Sequence, residues 1–127
     1  MVRTTRRVSL ASLQTLVDDA DLPVVLDRAG VPRRLPEIVD RGAYRVVRDA
    51  LAAARHATEA TVAIEYVPGA LVVQVDDDGV PRGGLQGVAN LAAEMGGGLK
   101  AAPAPGGFRV RAWLPTECQP PSRRFAR

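Results

Sequence analysis

Val75-Asp76-Asp77-Asp78-Gly79-Val80-Pro81-Arg82-Gly83-Gly84-Leu85-Gln86-Gly87 is the stretch in which the chain changes from the two-residue period of a strand to the spacing of a helix. Just before it, Leu71, Val73 and Val75 alternate with their neighbours, as in a strand buried on one face. The acidic run and Gly79 end that strand on turn chemistry alone. Gly83, Gly84 and Gly87 then lead into a helix that runs to Met95 and is stopped by Gly96-Gly97-Gly98.

Working outward, Thr61 to Tyr66 carries Val62, Ile64 and Tyr66 in the same alternation, and the turn at Pro68-Gly69 predicts a hairpin with the strand ending at Val75. A second hairpin is predicted from Leu99 to Leu114, turning between Pro103 and Gly107. Upstream, Pro36 to about Ala57 reads as the longest helix. Ile38, Tyr44, Val47 and Leu51 mark its apolar stripe, and Pro36 sits near its start, where a missing N–H is harmless. Leu22 to Leu26 reads as a strand closed by Gly30 and the Pro32 to Pro36 stretch. Ser9 to about Ala20 reads as a short helix, with Leu10, Leu13 and Val17 at helical spacing behind a serine suited to cap it. The order α-β-α-β-β-α-β-β predicts an α/β fold, a two-layer sandwich with a mixed sheet and its helices on one face.

At 127 residues and 46% hydrophobic, the chain suits one domain with its own core, since domains commonly run to about 100–150 residues. The expected boundaries are a basic tail over 1–7, the domain over 8–115, and a disordered Pro- and Arg-rich tail over 116–127. The net charge of +3 arises from 17 basic against 14 acidic residues, with the excess at the ends, in Arg3, Arg6, Arg7, Arg123, Arg124 and Arg127. Only 4% of the residues are aromatic, which argues against a nucleic-acid partner. No apolar run approaches the roughly 18 residues of a membrane span, and the N-terminus lacks the apolar centre of a signal peptide, so a cytoplasmic protein with no membrane partner is expected. Cys118 is the only cysteine and His56 the only histidine, which leaves no disulfide framework and no Cys/His metal site.

Four segments in this order resemble the ATP-binding domain of actinobacterial-type sensor histidine kinases, a branch of the GHKL family with the Bergerat fold. Ala43 to Leu51 followed by Arg55-His56-Ala57 is similar to the asparagine-box helix, Val75 to Gly79 to the D-x-G-x-G box, and Gly83 to Gly87 to the G-x-G-L-x-G-M box. Gly96 to Leu99, continuing through Pro105 to Pro115, is similar to the terminal hairpin. The resemblance implies that Asp77 accepts a hydrogen bond from the adenine amino group and that Gly79 lets the base approach the backbone. It also implies that Gly84, Leu85 and Gly87 bring backbone N–H groups and a helix N-terminus to phosphate. Taken by themselves, Asp77 and Gly79 are an ordinary hairpin end, the glycines a loop, and Arg55-His56 a basic pair favoured by the helix dipole.

The departures from the family pattern bear on mechanism. Asp49 to Ala54 is one residue shorter than the asparagine box, so the magnesium-binding asparagine falls on Ala53 or Ala52, and alanine has no oxygen to offer. Asp49 matches the family's glutamate, the general base or its equivalent; otherwise it is a solvated helix residue. Pro81 replaces the second glycine of D-x-G-x-G, and only Val80-Pro81-Arg82 is left as a lid, with Arg82 an anion contact or a solvated turn residue. No dimerisation helix with a phosphoacceptor histidine is expected before the domain. The expectation is a stand-alone, degenerate ATP-binding domain that takes ATP or ADP with magnesium in doubt and serves a protein partner in two-component-type signalling. Two alternatives are an active ATPase or kinase subunit completed by a partner chain, and a pocket repurposed for another small molecule, an apolar metabolite.

Overall fold

In the computed structural model, which describes residues 13–20, 22–54, 56–79 and 84–116, the elements are α1 (Leu13–Asp18), β1 (Val24–Ala29), α2 (Glu37–Ala53), β2 (Ala60–Val67), β3 (Ala70–Asp77), α3 (Gln86–Glu94), β4 (Gly98–Ala104) and β5 (Gly107–Pro115). The strands form one sheet in the order β1-β2-β3-β5-β4. β1 runs parallel to β2 because α2 crosses between them, and every other neighbouring pair is antiparallel. One face of this mixed sheet carries Ile64, Val73, Val75 and Val110, packed on Leu13 of α1, Val47 and Leu51 of α2, and Val88 and Ala92 of α3. The alternate residues Glu65, Arg109 and Arg111 point the other way and are exposed. The result is the expected two-layer α/β sandwich with its helices on one face.

Several boundaries differ from the sequence expectation. α2 stops at Ala53 instead of Ala57: the Ala54 amide is shared between the Ala50 and Leu51 carbonyls, and the Asp78 carboxylate takes the amides of Thr58 and Glu59 at 2.7 and 3.2 Å. The Ala57 amide turns back to the Ala54 carbonyl at 2.8 Å, and the Asp78 bonds hold the segment that leads into β2. The apolar stripe is also rotated. Ile38 is 52% exposed, whereas Val39, Ala43, Val46, Val47, Ala50 and Leu51 are buried and Tyr44 is half-buried, because a helix lying between α1 and α3 buries an arc broader than one stripe. β1 spans Val24–Ala29 instead of Leu22 to Leu26, held by its register on β2 from Val24↔Ala60 to Ala29↔Glu65.

Thr116, expected to begin a disordered tail, donates its amide to the Gly69 carbonyl at 2.9 Å and so extends the sheet ladder. Arg33 ties the loop after β1 to the same end of the sheet, donating to the Val67 carbonyl at 2.7 Å. The Ser9 cap, Leu10, Arg55, the short lid with Pro81 and Arg82, Gly83, Cys118 and the two basic tails all lie outside the described residues.

Candidate functional site

The period of β3 separates its aspartates. Leu71, Val73 and Val75 face the helices and are buried, so the same alternation carries Asp77 to the helix side and Asp76 to the open side. Asp76 is paired there with Arg109 at 2.6 Å and accepts the Gln74 side-chain amide at 2.9 Å. Asp77 is half-buried, and its Oδ1 accepts the Gly79 amide at 2.7 Å. Gly107 packs against this strand end so closely that a Cβ there would lie 1.9 Å from the Asp77 carbonyl oxygen. Asp78, beyond the strand, accepts from the hydroxyl and amide of Thr58. Those bonds, the hydroxyl's foremost, hold its carboxyl below the ordinary value of 3.8.

α2 and α3 converge on the Asp77 end. A Cβ on Gly42 would sit 3.2 Å from Met95 Sδ, so the N-terminal half of α2 touches the residue that closes α3. The two helices therefore run antiparallel, and the C-terminal half of α2 lies at the same end as the start of α3. Asp49 and Ala53, four residues apart on an unbroken helix, share a face with Gly42 and Val46, the face toward α3. Asp49 is partly buried, with its Oδ1 3.1 Å from Arg48 Nε. Ala53 is half-buried, whereas Ala52 is exposed and lines a cleft of about 380 Å³ with Leu16, Leu22 and Leu51 on the α1 side of α2.

At the start of α3, Gly84 holds φ at +101°, a conformation that L side chains rarely adopt, and is exposed. Leu85, at the N-cap, is buried in the core, where it supplies packing, and among the described residues no side chain caps the first turn. The opening amides of α3 thus remain as donors at a positive helix end. Gly87, within that turn, is exposed with nothing within 4 Å of a Cβ position. His56 is exposed in the turn after α2.

Among the described residues, the donors at this end do not fit a magnesium ion, which wants about six oxygens including one or two carboxylates. Ala53 offers a methyl group, the Asp49 carboxylate already lies on a guanidinium, and no three His, Cys, Asp or Glu side chains gather among the described residues. The Asp77 carboxylate stands at the end of β3 opposite Phe108 of β5, a residue of the buried core. Sequence reasoning missed two contributors to this end of the sheet, Gly107 and Asp78. Gly107 was legible only as part of a hairpin turn, since its packing on Asp77 depends on a strand 30 residues away in sequence, and Asp78 bonds Thr58 across another turn of the chain.

No protein-family model matches the sequence, and no curated protein matches it either. Solved structures do match. The ATP-binding domain of PrrB from Mycobacterium tuberculosis is 25% identical, with a TM-score of 0.61 over 92% of this chain and 96% of that one. The Acinetobacter baumannii histidine kinase AdeS is 15% identical, with a TM-score of 0.62 over 90% of this chain. The Erythrobacter litoralis EL346 blue-light activated histidine kinase is 20% identical, with a TM-score of 0.64 over 84% of this chain. The match spans 64% of the AdeS chain and 41% of the EL346 chain. Among the described residues, no helix is long and apolar enough to cross a membrane.

Proposed function

We propose that this chain, whose fold is that of the histidine kinase ATP-binding domain, binds an adenine nucleotide at the end of β3 and acts by binding, as a regulatory or partner module in two-component-type signalling. The observation that carries this reading is the placement of Asp77. Its carboxylate is turned to the helix side with Oδ1 on the Gly79 amide, and a carboxylate has further lone pairs for an exocyclic amine. Gly79 lies beside the base, and Gly84, Leu85 and Gly87 present the opening amides of α3 to phosphate.

Phosphoryl transfer is not part of the proposal. It depends on a metal that neutralises the phosphates and orients the γ-phosphoryl group. Ala53 lies one turn beyond Asp49 on the α3-facing side of α2, where an oxygen ligand is needed. With Asp49 drawn to Arg48, the remaining groups bind and orient a nucleotide without activating it. Calorimetric titration with adenosine, ADP and ATP, each with and without magnesium, tests the reading. ADP and ATP should bind weakly and alike, with no response to the metal; no binding of any of the three would overturn it.

A further inference from the structure

Among the described residues, no helix packs on the sheet face turned away from α1, α2 and α3, and its side chains are sorted by charge across the strands. Trp113 is 48% exposed and stands beside Val72 in the β3–β5 register. On one side of that apolar centre lie the exposed Asp27 of β1 and Glu65 of β2; on the other lie the exposed Arg111 of β5 and Lys100 of β4. Asp76 and Arg109 neutralise each other in the middle at 2.6 Å. The register places Asp27, Ala63, Gln74, Arg111 and Lys100 in one row across all five strands, so Asp27 and Lys100 occupy its two ends.

We propose that this face binds a second copy of the chain. A two-fold axis lying between two such sheets and running along β3 superposes β1 of one copy on β4 of the other, and β2 on β5. Asp27 then faces Lys100 at both edges, the largely buried Val72 lies on the axis flanked by the exposed Trp113 of each copy, and Glu65 lies over Trp113 beside Arg111. The pattern is self-complementary under this operator, which is what an isologous interface needs. A face charged with one sign would instead repel its own copy and suit an oppositely charged partner. Five strands about 4.8 Å apart, each about 26 Å long, give roughly 600 Å² per copy. That is the low end for a specific interface, so the dimer is weak and reversible. Its edge pairs are open to solvent and are screened by salt.

Sedimentation velocity of the whole chain across a concentration series, at low and high salt, tests this. A dimer that forms as concentration rises and dissociates in high salt is expected. Asp27→Lys and Lys100→Asp should each shift self-association to at least tenfold higher concentration. An equimolar mixture of the two variants should dimerise again, because each then offers the charge the other lacks. Trp113 is the only tryptophan, so its emission should shift to the blue with dimerisation alone. A monomer at every concentration, a dimer indifferent to both substitutions, or a mixture that stays monomeric overturns the proposal. So does a Trp113 shift seen only on adding a polyanion, which assigns the face to a different occupant. If either variant fails to fold, the salt and concentration series on the unaltered chain decides.

Discussion

Asp77 Oδ1 accepts the Gly79 amide at 2.7 Å, a bond that fixes the carboxylate at the mouth of the proposed nucleotide site while the side chain stays on the helix side of β3. An asparagine there keeps an oxygen for Gly79 but presents an amide in place of a carboxylate to the adenine amino group. Asp77→Asn should therefore fold normally and bind nucleotide less tightly by about 1.5–3 kcal/mol, roughly ten- to 150-fold. Equal affinities in calorimetry remove Asp77 from the site.

The Asp78 staple on Thr58 and Glu59 gives the fold a pH dependence. Its carboxyl lies below the ordinary 3.8 in the folded chain, chiefly through the Thr58 hydroxyl and then the Thr58 amide. A depressed carboxyl pKa stabilises the fold fully above the unfolded value, and that contribution is lost as pH falls through the folded one. Melting curves between pH 7 and pH 2 should show Asp78→Ala less stable than the native chain at neutral pH and converging on it in acid. A constant gap across the range contradicts the staple.

Leu51 and Ile38 distinguish the buried arc of α2 from its outer side. Leu51 is 7% exposed and packed against the sheet, so Leu51→Ala should cost about 2–5 kcal/mol and threaten the fold. Ile38 is 52% exposed, and Ile38→Ala should stay within about 0.5 kcal/mol. Urea denaturation of both variants measures this, and comparable losses would mean the helix lies at another angle.

Two glycines near the site should respond in opposite ways. A Cβ at Gly107 would lie 1.9 Å from the Asp77 carbonyl, so Gly107→Ala should push the β3 end aside, destabilise by on the order of 1–3 kcal/mol and weaken nucleotide binding as well. Gly87 has open space around it within α3, so Gly87→Ala should stabilise by up to about 1 kcal/mol. If its amide meets phosphate closely, affinity falls even as stability rises. Paired thermal and calorimetric measurements separate the two effects.

Magnesium separates a binding module from a kinase. The unaltered chain should show no ATP hydrolysis, and Ala53→Asn should introduce a metal dependence of ATP binding, because it restores an oxygen one turn beyond Asp49. Magnesium-dependent hydrolysis by the unaltered chain, abolished in Asp49→Ala, would refute the binding-module reading.

Local pattern was enough to order the elements. The alternation through Leu71, Val73 and Val75, the glycines around the start of α3 and the turns at Pro68-Gly69 and between Pro103 and Gly107 are short-range signals, and β2, β3, α3, β4 and β5 lie close to where they indicated. The mixed sheet with helices on one face followed from that order. What the sequence alone could not give is whatever depends on partners distant in the chain. The path out of α2 into β2 is held by Asp78, 20 residues beyond Thr58, whose carboxylate takes the Thr58 and Glu59 amides. Val39 displaced Ile38 from the core because α2 is wedged between α1 and α3, which sets how wide an arc it buries. Glu65 and Lys100 share the open face because the register carries it from strand to strand, Glu65↔Val72 and Val72↔Trp113, then Arg111↔Lys100, and register is set only when the strands pair. Periodicity tells a residue which side of its own element it occupies; only the packed fold decides what stands opposite it.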